Sequence, residues 1–225
     1  MKYVISVGGS LVAPKGGIDN IFIGELKQFL KERIELGDRF VIVAGGGATA
    51  RQYVRAAALS GASASEQDWL GIQATRLNAE LLRVSLHPLS PAAVILDPAE
   101  PINERAKLLI AGGYKPGRST DYAAVLLAER IGAKSVINLS NIDYVYDCDP
   151  KKYPDAKKIK EISWPNFRKL VGDKWLPGMN APFDPIASKE AQAAGLSTVI
   201  INGHKLEELK KYMDGQKFRG TLIQS

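Results

Sequence analysis

The sequence predicts an α/β protein, a three-layer αβα sandwich with a mostly parallel central sheet. Two observations carry that prediction. Apolar, largely β-branched runs at 3–7, 40–44, 108–111 and 135–139 have the continuous character of strands buried on both faces, and segments with apolar residues three and four apart alternate with them. Three of these runs end in glycine, at Gly8-Gly9-Ser10, Gly45-Gly46-Gly47 and Gly112-Gly113, which puts three glycine loops at one edge of the sheet. In a parallel sheet that edge, outside the carboxyl ends of the strands, is where ligands sit.

The first strand, 3–7, leads into a loop that Pro14, Gly16 and Gly17 extend. From Ile21 a helix places Phe22, Leu26, Phe29, Leu30 and Ile34 on one face, with Gly37 as its C-cap. The strand 40–44 runs into the triple glycine and a helix carrying Arg51 one turn in. Residues 68–86 set Leu70, Ala74, Leu77, Leu81 and Val84 at helical spacing, with no proline until Pro88. Asp68 then falls in the first turn, where a carboxylate either complements the helix dipole or faces a ligand. Trp69 and the apolar stripe read as core or subunit interface. Pro88, Pro91, Pro98 and Pro101 punctuate a connection that holds one short strand at 93–96.

The centre of the chain is the stretch Gly112-Gly113-Tyr114-Lys115-Pro116-Gly117-Arg118-Ser119-Thr120-Asp121, between the strand 108–111 and a helix at 120–131. Glycines let backbone N–H groups turn toward a ligand, and the helix presents its partly positive end at the same place, so the stretch reads as a phosphate seat. The alternative is a tight turn whose glycines serve geometry alone. Gly112, Gly117, Arg118 and Ser119 also fall at P-loop spacing, but a planar guanidinium is a poor substitute for the slim lysine that motif requires, so a P-loop is not assigned. Arg51, just inside a helix that starts from three glycines, is either a bidentate phosphate contact or a surface residue.

Beyond the strand 135–139, residues 140–150 hold hydroxyl and amide donors, two tyrosine faces and acids suited to ribose hydroxyls, a set that also builds Asx-type turns. Asp184-Pro185 reads as an N-cap followed by proline at the first helical position. Gly195 ends that helix before a strand at 197–201. A short amphipathic helix at 205–213 and a strand at 220–223 close the fold. Lys189 reads as solvent-facing rather than as a phosphate ligand.

At 225 residues and 45% hydrophobic, the chain predicts one compact domain. Its net charge of +6 does not argue for nucleic acid, because the densest basic cluster (Lys151, Lys152, Lys157, Lys158, Lys160) alternates with acids and reads as a solvated face. The single cysteine, Cys148, excludes an intramolecular disulfide, fits a reducing cytoplasm and reads as a small, at least half-buried residue. Met1-Lys2-Tyr3 leads straight into a strand, so no signal peptide is expected, and no apolar run approaches the ~20 residues of a membrane span.

Taken together, these motifs resemble the amino acid kinase superfamily, and within it the uridylate (UMP) kinases of the archaeal-like type. The resemblance rests on Gly8-Gly9-Ser10, on Gly45-Gly46-Gly47 with Arg51, on 68–75, on Pro116-Gly117-Arg118-Ser119-Thr120-Asp121, on Asn141-Ile142-Asp143 through Asp149-Pro150, on Asp184-Pro185-Ile186-Ala187 and on Gly220-Thr221. It implies phosphoryl transfer from ATP to UMP, with Mg²⁺ accompanying ATP. An acceptor lobe at about 1–120 and an ATP lobe at about 121–225 would share one sheet. Gly46, Asp68, Tyr114, Lys115, Pro116, Gly117, Arg118, Ser119 and Thr120 would hold UMP. Gly9, Ser10, Gly47 and Arg51 would face the transferring phosphates, and Ser140, Asn141, Tyr146 and Asp149 would hold the rest of ATP. Arg51 and Asp121 are the catalytic candidates, with Asp121 orienting a cation or the glycine loops. No direct metal ligand is assigned. The loop at 176–182 would lie near the ATP side. A cytoplasmic homo-oligomer, a hexamer built from dimers, is expected, with no nucleic-acid or membrane partner.

The sequence departs from the superfamily at three positions. Ser6 stands where many members carry lysine, Arg118 where histidine is frequent, and Tyr144 where glycine is usual. A tyrosine forced to positive φ would be strained, so that loop is expected to be strained or different. Other kinases of the superfamily, acting on acetylglutamate, aspartate or isopentenyl phosphate, remain as alternatives, and so does a non-catalytic nucleotide- or oxyanion-binding protein on this fold. The isopentenyl phosphate enzymes look to a histidine after the second glycine loop, whereas the only histidines here are His87 and His204.

Overall fold

A seven-stranded sheet runs through the computed structural model, which describes residues 1–90, 92–103, 105–150, 152–172, 174 and 181–225. The chain begins with β1 (Lys2–Val7), α1 (Gly9–Val12), α2 (Asn20–Glu35), β2 (Arg39–Ala44), α3 (Gly47–Leu59) and α4 (Ala64–Ser85). The middle holds β3 (Leu108–Ala111), α5 (Thr120–Ile131), β4 (Ser135–Ser140) and a small ribbon of β5 (Val145–Tyr146) with β6 (Lys158–Ile159). It closes with β7 (Glu161–Ser163), α6 (Trp164–Val171), α7 (Pro185–Ala193), β8 (Ser197–Asn202), α8 (Leu206–Met213) and β9 (Thr221–Gln224).

The strand order is β3-β2-β1-β4-β8-β9-β7, parallel throughout except where β8 meets β9. The chain first builds outward from β1 to β2 and β3, then restarts on the other side with β4. That reversal opens a crevice at the carboxyl ends of β1 and β4. Side-chain alternation divides the core into two layers. Ile5, Val7, Ile42 and Ile110 face Phe22, Leu26 and Leu30 of α2. Val4, Val41, Val43 and Val136 face Ala124, Val125 and Ala128 of α5 and the Trp164–Phe167–Phe183 group. Burying each large side chain contributes roughly 1.5–3 kcal/mol. No helix among the described residues is long and apolar enough to cross a membrane.

Several boundaries differ from the sequence reading. Helix α4 starts at Ala64, because Ser63 and Glu66 form a reciprocal capping box that opens the helix four residues before Asp68. Asp68 therefore lies beyond the first turn and does not serve the helix dipole. The strand expected at 93–96 is reduced to one bridge, Ile95 to Ala111. The loop after β1 is tightened by the single turn α1. Cys148 is exposed, not buried, because it sits in the acidic turn beyond β5. The loop around Tyr144 is unstrained: no described residue other than glycine has a positive φ. Of the loop expected at 176–182, only Ala181 and Pro182 are among the described residues, and Pro91 and Lys151 also fall outside them.

Candidate active site

The first two glycine loops are packed backbone against backbone. A Cβ built on Gly9 would lie 2.0 Å from the Gly47 nitrogen and 2.6 Å from the Gly45 carbonyl carbon. Gly47 has φ +64°, a conformation that side chains rarely adopt, and its missing Cβ would meet the Gly9 oxygen. The glycines at the ends of β1 and β2 thus let two strand exits close into one wall.

That wall bounds a cavity of about 360 Å³, the size of a small-ligand site. The cavity is lined by Gly9, Gly45, Gly46 and Gly47, by Ala50, Arg51 and Val54 of α3, by Gln67, Asp68, Gly71, Ile72 and Thr75 of α4, and by Gly113, Arg118, Ser119, Thr120 and Asp121 at the start of α5. Residues singled out in four separate stretches of sequence therefore meet in one place. Helices α3 and α5 both begin at this cavity, each presenting the positive end of its dipole. Arg51 is exposed toward it, on the first turns of α3.

Other nominated residues do not line the cavity. Ser10, Tyr114, Lys115 and Pro116 lie outside its wall, and Gly117 touches it only through its bond to Asp68. Ser140 ends β4, and Asn141, Tyr146 and Asp149 follow it, outside the cavity wall. There the turn after β4 is held by Asp143, which accepts bonds from Asn202 and Lys205 and pairs with Arg219. The charged neighbours keep the Asp143 carboxyl below its ordinary value, the Lys205 hydrogen bond being the main cause.

The expectation that Gly112, Gly113 and Gly117 turn free N–H groups toward a ligand is not met. Gly112 N donates to Ile95 O (3.1 Å), Gly113 N to Thr75 Oγ1 (2.6 Å) and Gly117 N to Asp68 Oδ2 (2.8 Å). Gly112 and Gly113 lack side chains for a different reason: a Cβ on either would run into Arg76 or Thr75 of α4. Their role is close approach to a helix.

Asp121 sits at the floor, where every described oxygen contact is to protein. Its Oδ1 accepts from Ser6 Oγ (2.8 Å) and Asn138 Nδ2 (3.1 Å), and its Oδ2 accepts from Asp184 N (3.2 Å). Burial pushes the Asp121 carboxyl up to about 6; the Ser6 bond opposes the rise and the nearby Asp184 carboxylate adds to it. Asp184 caps α7 through Ala187 N (2.6 Å), and burial raises its carboxyl as well. The Arg118 guanidinium lies over the Tyr122 ring at 4.9 Å and donates to Gly117 O, which leaves its buried Nε without a described partner. Among the described residues no group of three or more His, Cys, Asp or Glu side chains is placed to hold a metal ion.

Ser6, Asn138, Thr75 and Asn78 were missed as site-building residues. Asn78 Nδ2 donates to Gly45 O (2.8 Å) from a buried position on α4. For Ser6 and Asn138 the signal is polarity inside an apolar strand run, since a buried polar side chain requires a partner; Thr75 and Asn78 lie in a mixed helical stretch that carries no such mark.

A model of the amino acid kinase family matches residues 1–202. A uridylate kinase of Hyperthermus butylicus is 36% identical over 224 residues, covering 98% of this chain and 96% of that protein. One from Methanocaldococcus jannaschii is 36% identical over 227 residues and covers both chains fully. Among solved structures, the uridylate kinase of Archaeoglobus fulgidus superposes with a TM-score of 0.85 at 35% identity, covering 99% of this chain and all of that one.

Proposed function

The chain belongs to the amino acid kinase family, and from that premise we propose that it transfers the terminal phosphoryl group of ATP to UMP, giving UDP and ADP. The observation that carries this reading is the cavity in which the two fused glycine loops, Arg51, Asp68 and the start of α5 converge. Phosphoryl transfer leaves a protein little covalent work: it must hold donor and acceptor in line and stabilise spreading charge. The UMP phosphate is already anionic, so no general base is required.

On this reading UMP occupies the cavity in contact with Gly46 and Asp68, with the 114–120 segment wrapping its phosphate and uridine and Arg51 facing the transferring phosphates. Gly9, Ser10 and Gly47 face the transferred group, and Ser140, Asn141, Tyr146 and Asp149 hold adenosine and its phosphates across the switch point. The acceptor half is thus about 1–120 and the donor half about 121–225. Arg51 supplies a fixed cation, and Asp121 is a positioning group that ties β1, β4 and α7 together beneath the cavity. Mg²⁺ would arrive with ATP as Mg-ATP.

The protein acts as a cytoplasmic homo-oligomer, a hexamer built from dimers. Support for an interface comes from α4, where Leu70, Leu77 and Val84 recur every seven residues and are 37%, 64% and 57% exposed. A light-scattering mass unchanged by Leu77→Glu would count against that face. The activity itself is tested by ADP release with Mg-ATP against UMP, CMP, AMP, GMP, acetylglutamate, aspartate and isopentenyl phosphate. Strong preference for UMP is expected; silence on all seven, with ligands still raising the melting temperature, would indicate a binding protein.

A further inference from the structure

Arg76 has no place in the phosphate chemistry, yet it donates to three main-chain carbonyls beside the cavity. It projects from α4, half-buried, one position beyond Thr75. Its Nε donates to Gly113 O (3.2 Å), and its Nη2 to Tyr114 O (3.2 Å) and, more weakly, Leu96 O (3.5 Å). Its guanidinium carbon lies 5.9 Å from the Trp69 ring centroid, two turns back on the same helix face. Its stem packs on Gly112, where a Cβ would come within 2.9 Å of Cγ.

We propose that Arg76 is a positioning residue for the acceptor: a clamp that fixes the exit of β3 on α4 and so sets where residues 113–119 lie over the cavity. The argument is one of geometry. Between Gly113 and Ser119 the chain leaves the sheet and must turn back to start α5, and Gly117 within it has φ +73°. Two bonds tie this loop to α4 through its N–H groups, Gly113 to Thr75 and Gly117 to Asp68. Arg76 is the partner that takes its carbonyls. A planar fork can hold two successive carbonyls and the neighbouring 88–107 connection at once, which a single ammonium cannot. With the clamp in place, Asp68 meets Gly117 with one oxygen and keeps the other for a ligand. Without it, the loop is held only at its two N–H contacts, and the acceptor must order it on binding.

This inference rests on the proposed acceptor site, and it is tested by steady-state kinetics on the full-length protein carrying Arg76→Met, which keeps the stem on Gly112 and removes the donors. The expected result is an acceptor KM raised about tenfold or more, with kcat and the ATP KM within about threefold. Arg76→Lys, which restores one donor group, should fall between Met and wild type. An unchanged acceptor KM overturns the clamp. So does an equal rise in both KM values accompanied by a lower melting temperature, which marks a merely structural residue. If Arg76→Met does not fold, the Lys variant carries the same comparison. If wild type ignores UMP but uses another acceptor, the UMP reading fails while the kinetics with that acceptor still test Arg76. Normal wild-type turnover of UMP with an indifferent Arg76→Met enzyme would sink the clamp alone.

Discussion

Ser6 on β1 and Asp121 on α5 are joined by a 2.8 Å hydrogen bond, the hydroxyl donating to a carboxylate that burial has pushed up to about 6. A carboxyl whose folded value exceeds its ordinary 3.8 prefers to be protonated in the folded state. Between the two values the folded state holds a proton that the unfolded chain has lost, so this group costs nothing below pH ~3.8 and its full cost appears above ~6. The rise from 3.8 to about 6 corresponds to at most about 3 kcal/mol. Asp121→Asn keeps an acceptor for Ser6 and cannot ionise. The melting temperature of the variant relative to wild type should therefore climb between pH 4 and 7 and level off above. Parallel profiles would show that Asp121 does not titrate in this window.

Arg51 stands exposed at the cavity mouth. Its replacement should leave the fold untouched and remove the charge that the proposed function assigns to the transferring group. Arg51→Ala is expected to lower kcat by about 10²-fold, the range of one positioned charge stabiliser. The melting temperature should stay within experimental scatter. Unchanged kcat removes Arg51 from the reaction.

Asp68 accepts from Gly117 N at 2.8 Å and lines the cavity that the proposed function gives to the acceptor. Hydrogen bonds to a charged group contribute about 1.5–3 kcal/mol, or roughly 10- to 100-fold in affinity. Asp68→Asn should raise the acceptor KM by that factor with the ATP KM unchanged. A loss confined to ATP would move Asp68 out of the acceptor site.

Gly9 admits no side chain, because the nearest atoms to a new Cβ are backbone atoms of 45–47 that cannot swing aside. Gly9→Ala should cost about 3 kcal/mol or more, at or beyond the upper end of overpacking effects. Urea unfolding measures it directly. A midpoint equal to wild type would mean that the two glycine loops are not packed as described.

The layered sheet was legible because its strands are continuous apolar runs ended by glycine, a pattern local to a few residues. Helix α5 and the Asp184-Pro185 start of α7 were legible for the same reason. The start of α4 was readable but unread, since Ser63 and Glu66 carry the S-x-x-E spacing of a capping box. Helix α6 also has its signal, with Trp164, Phe167 and Val171 three and four apart behind the Ser163 cap and with Pro165 in the first turn. Gly9, Gly46, Gly47, Arg51, Asp68 and 118–121, singled out in the sequence by their glycine loops and motifs, line one cavity. What the central glycines do was not legible. Their partners Thr75, Arg76 and Asp68 lie 37 or more residues away in the chain, so no local pattern announces them.

Helix α4 is a rigid rod of 22 residues, about 33 Å long, and it does not belong to one site alone. Through Asn78 it grips Gly45, through Thr75 and Asp68 it grips Gly113 and Gly117, and its outer stripe is left to solvent. A displacement of the rod moves both walls of the cavity together. In an assembly joined through that stripe, acceptor affinity and subunit association become linked quantities. Whatever factor UMP adds to association, association returns to UMP. The apparent affinity for UMP would then vary with protein concentration.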